Sequence, residues 1–266
     1  VDNKRKLDGK VAIVTGAGSQ GPGLGTGKAI SVLFAREGAK VILVDMFEDR
    51  AKETLRLIED EGGTASIVVA DLGEISAGKH VVDETVARYG GVDILINNAA
   101  ISASGSSLLE VTPEHFQRVV AVNLMAPFML TKAAVPIMVE RGGGSIVNIT
   151  SIAAMRGQGG KGAAGYATAK AGMWGLMVDV ADAFGKKGIR INNIAPGIID
   201  TPMRTHDITK SGLDAKTLNL GARTSVGFEG DGWDIARAAL FLAGPDGRFI
   251  TGVLLPVDGG KTATSH

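Results

Sequence analysis

The chain contains no cysteine. No disulfide framework and no thiolate nucleophile can therefore exist, and the absence fits the cytosol as the expected compartment. Histidine is scarce as well. His80, His115, His206 and His266 are scattered and match no HExxH or paired-ligand spacing, so no metal site is expected. Neither charge is in surplus: 28 Lys plus Arg balance 28 Asp plus Glu. A nucleic-acid partner would ordinarily show a basic excess, so none is expected. No apolar run approaches the roughly 18 residues of a membrane span. Val1 to Lys10 is polar and charged, without the apolar centre of a signal segment, so no membrane association is expected. Aromatic residues are few, and only two are tyrosines.

Glycine and apolar residues are what the chain has in quantity. Its 38 glycines imply many tight turns or close backbone approaches. The apolar share, 45% of 266 residues, is enough for the core of one large α/β domain. Short β-branched runs alternate with helical patterns along the whole chain. Strands are predicted at Val11–Thr15, Val41–Val44, Ser66–Ala70, Ile94–Ile96, Ser145–Ile149, Ile189–Ile194 and Val253–Val257. Helices are predicted over Lys28–Glu37, after Asp45 through Glu61, up to about Tyr89, around Pro113–Met125 and Pro127–Arg141, and over Tyr166–Lys186. Such alternation predicts a doubly wound α/β fold: a seven-stranded, mostly parallel sheet with helices on both faces. No linker or repeat divides residues 1–266, so one domain is expected. Pro202–Asp231, rich in Gly, Thr and Ser, is the least regular stretch and is read as a substrate lid.

The segment Thr15-Gly16-Ala17-Gly18-Ser19-Gln20-Gly21-Pro22-Gly23-Leu24-Gly25-Thr26-Gly27 lies between the first strand and the first helix. Glycines there let the backbone approach a pyrophosphate, and the helix N-terminus offers unpaired N–H groups. A plain glycine-rich turn is the bland alternative. Asp45 ends the second strand. A carboxylate there accepts hydrogen bonds from the adenosine ribose hydroxyls and repels a 2′-phosphate. With no Arg or Lys in the glycine loop or at position 46, NAD is favoured over NADP.

Tyr166 and Lys170 are four residues apart, on one face of a predicted helix. A nearby ammonium favours the phenolate, so the pair could exchange a proton with an alcohol or a carbonyl. On spacing alone the pair could equally be a surface contact. Its setting is what distinguishes it. The ordered series of glycine loop, Asp71-Leu72, Asn97-Asn98-Ala99-Ala100, Asn123, Ser151, Tyr166 with Lys170, Pro196-Gly197 with Thr201, and Val257-Asp258-Gly259-Gly260 resembles the short-chain dehydrogenase/reductase family. The resemblance runs from Leu7 to Gly260.

That resemblance implies a Rossmann fold and an NAD(H)-dependent oxidoreductase that interconverts a secondary alcohol and a ketone. It implies a catalytic set of Asn123, Ser151, Tyr166 and Lys170. Tyr166 would be the general acid or base, Lys170 would lower its pKa and hold the nicotinamide ribose, and Ser151 would orient the substrate oxygen. Asn123 would kink its helix and hold a water in a relay to Lys170. Cofactor contacts are implied at Gly16, Ser19, Gly25, Thr26, Asp45, Asp71, Leu72, Asn97, Ala99, Ala100, Tyr166, Lys170, Pro196, Gly197, Ile199 and Thr201. Substrate walls are implied at Ile101, Ser102, Ala153, Met155 and Met203, mostly small or apolar, which suits a neutral hydroxyl or oxo compound. A homotetramer is the expected assembly. Bland readings stand beside these roles: Ser151 as a strand-end cap, Asn123 as a buried amide satisfied by backbone, Asp71 as a helix cap. The rival function is a non-catalytic nucleotide-sensing protein on the same fold.

Three departures from the family pattern are visible. About five residues within Ser19–Leu24 are inserted in the glycine loop. Ala100 stands where glycine is commoner. The segment before Tyr166, around Gly157–Gly162, is about two residues longer than usual.

Overall fold

Seven strands form a single parallel sheet in the order β3-β2-β1-β4-β5-β6-β7. They are β1 (Val11–Thr15), β2 (Lys40–Asp45), β3 (Thr64–Val69), β4 (Ile94–Asn97), β5 (Gly144–Ile149), β6 (Ile189–Pro196) and β7 (Leu254–Val257). The computed structural model describes residues 5–21, 23–102, 107–157, 164–210 and 218–263. Parallel pairing requires a crossover after each strand, and a helix supplies it. The helices are α1 (Thr26–Arg36), α2 (Glu48–Asp60), α3 (Ala77–Tyr89), α4 (Pro113–Val120), α5 (Ala126–Glu140), α6 (Ala164–Phe184), α7 (Pro202–Lys210) and α8 (Gly232–Ala243).

Strand periodicity divides the core in two. Ala12 and Val14 point to the face covered by α1, α2 and α8, where Ile30, Phe34, Ile58 and Ile235 pack. Ile13 points to the other face, covered by α3, α5 and α6, where Val81, Leu130, Met138 and Met177 pack. Because both faces are covered, β1 is buried at every position and reads as a continuous apolar run, with no alternation. The chain reverses direction across the sheet between β1 and β4. In open α/β sheets the crevice at the carboxyl ends of the strands at such a point is where ligands bind.

Three elements differ from the sequence reading, the first being α8, a helix in a stretch where none was predicted. The two helices expected at Pro113–Met125 and Pro127–Arg141 are one continuous run, joined by a π-turn at Ala121–Met125. Pro127 has no N–H for the carbonyl four residues back, that of Asn123, and a widened turn accommodates the loss. The joined run of 28 residues is apolar enough, at a mean hydropathy of 1.5, to cross a membrane by length and composition. Half of that apolar window is buried, with Leu130, Ala134 and Met138 packed into the core. The stretch expected to be irregular from Pro202 opens instead with α7, where a proline at the first position has the backbone angle a helix needs. A parallel bridge between Ile199 and Gly230 closes the base of this excursion.

Candidate active site

The glycine loop leaves β1 at Thr15 and is fixed from the end of β4. The Thr15 hydroxyl donates to the Ile96 carbonyl and accepts from the backbone N–H groups of Asn98 and Ala99, at 2.9 and 3.0 Å. The Asn98 amide donates to the carbonyls of Thr15 and Gly16, at 2.8 and 3.1 Å. Gly16 has φ +62°, and a Cβ there would lie 2.9 Å from Ala99 Cα. A Cβ on Gly27 would collide with the Gly16 carbonyl. Strand, loop and helix thus meet at backbone contact distance, a packing that only glycine permits.

The insertion in this loop is closed at its base. The Gly25 N–H donates to Ser19 Oγ at 3.1 Å, and α1 then starts at Thr26. Gly25 caps α1 without a side-chain acceptor, and no acid occupies the first turn. That end of the helix therefore presents unpaired N–H groups and a positive dipole end beside a close-packed glycine backbone. This donor set fits a pyrophosphate. Pro22 lies outside the described residues. Gly23 lies against Pro202, 3.4 Å from an added Cβ to Pro202 Cγ, so the insertion reaches the start of α7.

Asp45 stands at the carboxyl end of β2 with its side chain turned to the loop. Its Oδ2 accepts from the Gly18 N–H and its Oδ1 from the Phe47 N–H, both at 3.0 Å. Arg50, one turn into α2, stacks on Phe47 at 4.1 Å and packs so closely on Gly18 that a Cβ there would lie 2.5 Å from Arg50 Cβ. This arginine went unnoticed in the sequence because it lies five residues past Asp45. Asp71 accepts from the Gly73 N–H at 2.8 Å and from Arg118 Nη2 at 2.8 and 2.9 Å. Burial opposes its charge, but the Gly73 N–H and Arg118 outweigh it and hold the carboxyl below its usual range. Leu72 is buried in the core.

Asn97 turns its side chain into the sheet. It donates to Asn148, which donates to Asn193, each at 2.8 Å. The three residues sit in register on β4, β5 and β6 and form a buried amide ladder. Asn148 and Asn193 were not singled out from the sequence. An asparagine within a predicted buried strand was the available signal.

Ser151 follows β5 and caps the short 3-10 turn Ile152–Ala154, accepting from the Ala153 N–H at 3.1 Å. Its hydroxyl also lies near that of Tyr166, at the start of α6, closely enough to favour the phenolate. Lys170, one turn further on and buried, donates to the Ile149 carbonyl at 2.7 Å. Its ammonium lies 5.7 Å from the centre of the Tyr166 ring. The serine, the tyrosine and the lysine are therefore brought together at the end of β5. The expected electrostatics are reversed, however. Burial raises the Tyr166 phenol, the Ser151 hydroxyl lowers it, and the Asp207 carboxylate on α7 adds to the rise. Burial also pulls Lys170 down to about 7. Both groups are desolvated, and the ammonium is directed at a backbone carbonyl and not at the phenol, so desolvation prevails.

Asn123 lies in the π-turn, fully buried. Its Oδ1 accepts from the Ile101 N–H and its Nδ2 donates to the Ile101 carbonyl, both at 2.9 Å. The side chain is thus committed to the loop after β4, and no bond among the described residues links it to Lys170. Ala99 and Ala100 precede Ile101 on this loop, half-buried, and Ser102 follows it. On the far side, Pro196 ends β6. The Gly197 N–H donates to the Val257 carbonyl at 3.0 Å, and Ile199 joins the bridge to Gly230. Thr201 precedes α7, which carries Met203, Arg204 and Asp207 on its half-buried face. Arg204 pairs with Asp200 and Glu229 and ties the helix to the body. Ala153 and Met155 follow Ser151, and Met155 is exposed. Part of the lengthened segment before Tyr166, residues 158–163, lies outside the described residues, as do residues 211–217 of the excursion.

A dinucleotide-type cradle and a Ser–Tyr–Lys cluster on one sheet edge define an oxidoreductase of the Rossmann class. The family model described as enoyl-(acyl carrier protein) reductase matches residues 22–262. The chain is 37% identical to a 2,5-dichloro-2,5-cyclohexadiene-1,4-diol dehydrogenase of Sphingobium indicum, over 96% of this chain and 97% of that one. A solved structure from Burkholderia xenovorans, assigned to the short-chain dehydrogenase/reductases, superposes with a TM-score of 0.93 at 40% identity, covering 98% and 99% of the two chains. Another, from Beutenbergia cavernae, is assigned as an NAD(P)-dependent gluconate 5-dehydrogenase and carries NADP at low occupancy. It gives a TM-score of 0.87 at 34% identity, covering 98% of this chain and all of that one. The chain belongs to the short-chain dehydrogenase/reductase family.

Proposed function

We propose that this protein interconverts a secondary alcohol and a ketone with a nicotinamide nucleotide, NAD(H) in preference to NADP(H). The observation that carries the reading is the pairing of the Ser151 and Tyr166 hydroxyls beside buried Lys170, on the sheet edge that also bears the glycine cradle. In oxidation the alcohol loses its carbinol hydride and its hydroxyl proton, and the carbonyl double bond forms. When bound, the nicotinamide would accept that hydride, and in reduction it would return it.

The chain's own residues would handle the proton and the geometry. Tyr166 takes the hydroxyl proton in oxidation and gives it back in reduction, at its phenolic oxygen. Ser151 stands beside that oxygen and orients the substrate oxygen between them. Lys170 supplies positive charge under the tyrosine ring and holds the nicotinamide ribose. Asn123 acts through position, fixing Ile101 and hence the loop beside the substrate. Its backbone carbonyl, which Pro127 cannot cap, is the group that would hold a relay water. Gly16, Ser19, Gly25 and Thr26 would receive the pyrophosphate, Asp71 and Leu72 the adenine, and Asn97 to Ala100 the adenosine ribose through their backbone. Pro196, Gly197, Ile199 and Thr201 would hold the carboxamide. Ile101, Ser102, Ala153, Met155 and Met203 would form the substrate walls, with α7 as part of a lid over one domain.

The preference for NAD rests on Asp45, whose carboxylate would repel a 2′-phosphate. Arg50 beside it would receive that phosphate if NADP were used. A homotetramer fits the exposed apolar side chains on the outer faces of α5 and α6, Phe128, Trp174 and Val178 among them. The test is a Tyr166→Phe variant assayed against a panel of secondary alcohols and ketones. Loss of turnover with NADH binding retained supports the reading, and retained turnover overturns it. Cofactor binding by the wild-type chain without turnover of any panel member would favour the nucleotide-sensing alternative.

A further inference from the structure

Three cations from separate segments converge at the same sheet edge. Arg156 follows the 3-10 turn that Ser151 caps, its backbone N–H bonded to the Ile152 carbonyl at 3.1 Å. Its Nη1 donates to the Lys261 carbonyl at 2.7 Å. Lys261 follows β7, in a turn knotted by Asp258, which accepts from the N–H groups of Gly260 and Thr262. Arg223 lies in the last part of the excursion, two residues before Ser225. The Ser225 N–H donates to the Gly259 carbonyl at 2.8 Å, and its hydroxyl donates to the Gly260 carbonyl at 3.1 Å. Hydrogen bonds to the backbone carbonyls of Gly259, Gly260 and Lys261 thus hold the three cationic segments together.

The charge of this cluster is not balanced locally by the two arginines' own partners. Among the described residues neither Arg156 nor Arg223 forms an ion pair, whereas most other arginines of the chain do. Burial and the two guanidinium groups push the Lys261 ammonium down, as mutual repulsion requires. A chain of zero net charge has no general surplus from which such a cluster would arise. Like charges held close by bonds to backbone carbonyls are stabilised by an anion that enters among them.

We propose that Arg156, Arg223 and Lys261 form a subsite for an anionic group, carboxylate or phosphate ester, on the substrate at a distance from the reacting carbon. The position fits. Arg156 lies five residues after Ser151, and Arg223 lies on the excursion that begins beside the reacting centre. The subsite rests on the oxidoreductase reading above and replaces a wholly neutral substrate with a hydroxy or oxo acid, or its phosphate counterpart. The Arg223 side chain is exposed and makes no hydrogen bond among the described residues; only its backbone N–H does, to the Leu220 carbonyl at 3.0 Å, so the guanidinium is not a structural strut.

The test uses matched pairs: 5-oxohexanoate with its methyl ester, and dihydroxyacetone phosphate with dihydroxyacetone. Reduction by NADH is measured for the full chain, Arg156→Gln, Arg223→Gln and Arg156→Lys. The expected result is a preference of about tenfold or more in kcat/KM for the anionic member of at least one pair, lying in KM. That ratio falls toward one in both glutamine variants and is largely kept in Arg156→Lys. The pair that shows the preference tells carboxylate from phosphate. Equal use of both members by the wild type, or a glutamine variant that lowers both alike, overturns the subsite while the oxidoreductase reading stands. If no compound is turned over, the oxidoreductase reading is what fails, and binding then decides the subsite. 5-Oxohexanoate and inorganic phosphate should raise the Tm of the wild type and not that of Arg223→Gln. An equal shift in both proteins, or none in the wild type, overturns the proposal.

Discussion

The Lys170 ammonium donates to the Ile149 carbonyl at 2.7 Å, so the last residue of β5 holds the lysine of α6. This bond orders the site, because Ser151 stands two residues beyond Ile149 and Tyr166 one turn before Lys170. The same bond directs the ammonium away from the phenol. Burial then governs both titrations.

Lys170 makes stability depend on pH. Its value in the folded chain, about 7, lies below the ordinary 10.5. Between those two values the unfolded chain binds a proton that the folded chain sheds. Stability should therefore rise with pH from about 7 toward 10.5 and be lowest, for this group, below 7. The slope is at most about 1.4 kcal/mol per pH unit. Urea unfolding from pH 6.5 to 9.5 should show the rise in the wild type and a flatter profile in Lys170→Met. Equal profiles would remove the lysine as the cause.

Tyr166 sets the pH profile of turnover. With the phenol raised by burial, alcohol oxidation should accelerate toward alkaline pH and ketone reduction should slow. Ser151→Ala removes the hydroxyl that lowers the phenol and should move the inflection upward. Asp207→Asn removes a carboxylate that raises it and should move the inflection downward. Tyr166→Phe should lose about 10²–10⁴-fold in turnover while NADH fluorescence titrations still report binding. Initial rates over pH check each sign, and movement of the two inflections in the same direction contradicts the assignment.

Asp45 should decide the cofactor. Asp45→Ser removes the charge that opposes a 2′-phosphate and leaves Arg50 beside the loop. The ratio of kcat/KM for NAD over NADP should fall by about tenfold or more, a change of roughly 1.4 kcal/mol. A ratio that does not move would place discrimination elsewhere.

The asparagine ladder should contribute to stability. Asn148 is both acceptor for Asn97 and donor to Asn193. Asn148→Ala strands one buried group on each neighbour, at a cost of about 1–3 kcal/mol per group. A fall of about 2–4 kcal/mol in denaturant unfolding is expected, with little change from the alanine at an exposed control such as Gln117.

Much of the site was legible because it depends on short-range pattern. A glycine run between a buried strand and an amphipathic helix can only be a tight turn. Tyr166 and Lys170 share a helix face by spacing alone. Asp45 was recognisable because a strand end is marked by the loss of apolar residues. Arg118 and Asp207 were not legible. Each meets its partner, Asp71 or Tyr166, across the fold, 47 and 41 residues away in sequence. The Asn97–Asn148–Asn193 ladder was hidden for the same reason, since its rungs exist only once strand order and register are fixed.

The sequence by itself determined the strand–helix alternation, the placement of the glycines and the pairing of Tyr166 with Lys170 on one helical turn. These follow from backbone sterics and from the two periods of side-chain direction, which act within a few residues. Tertiary structure decided where the charges settle. Lys170 turns to a carbonyl, Asp71 is held by Arg118, and Arg156 meets Lys261, because burial and electrostatics depend on which distant segments the sheet brings within a few ångströms.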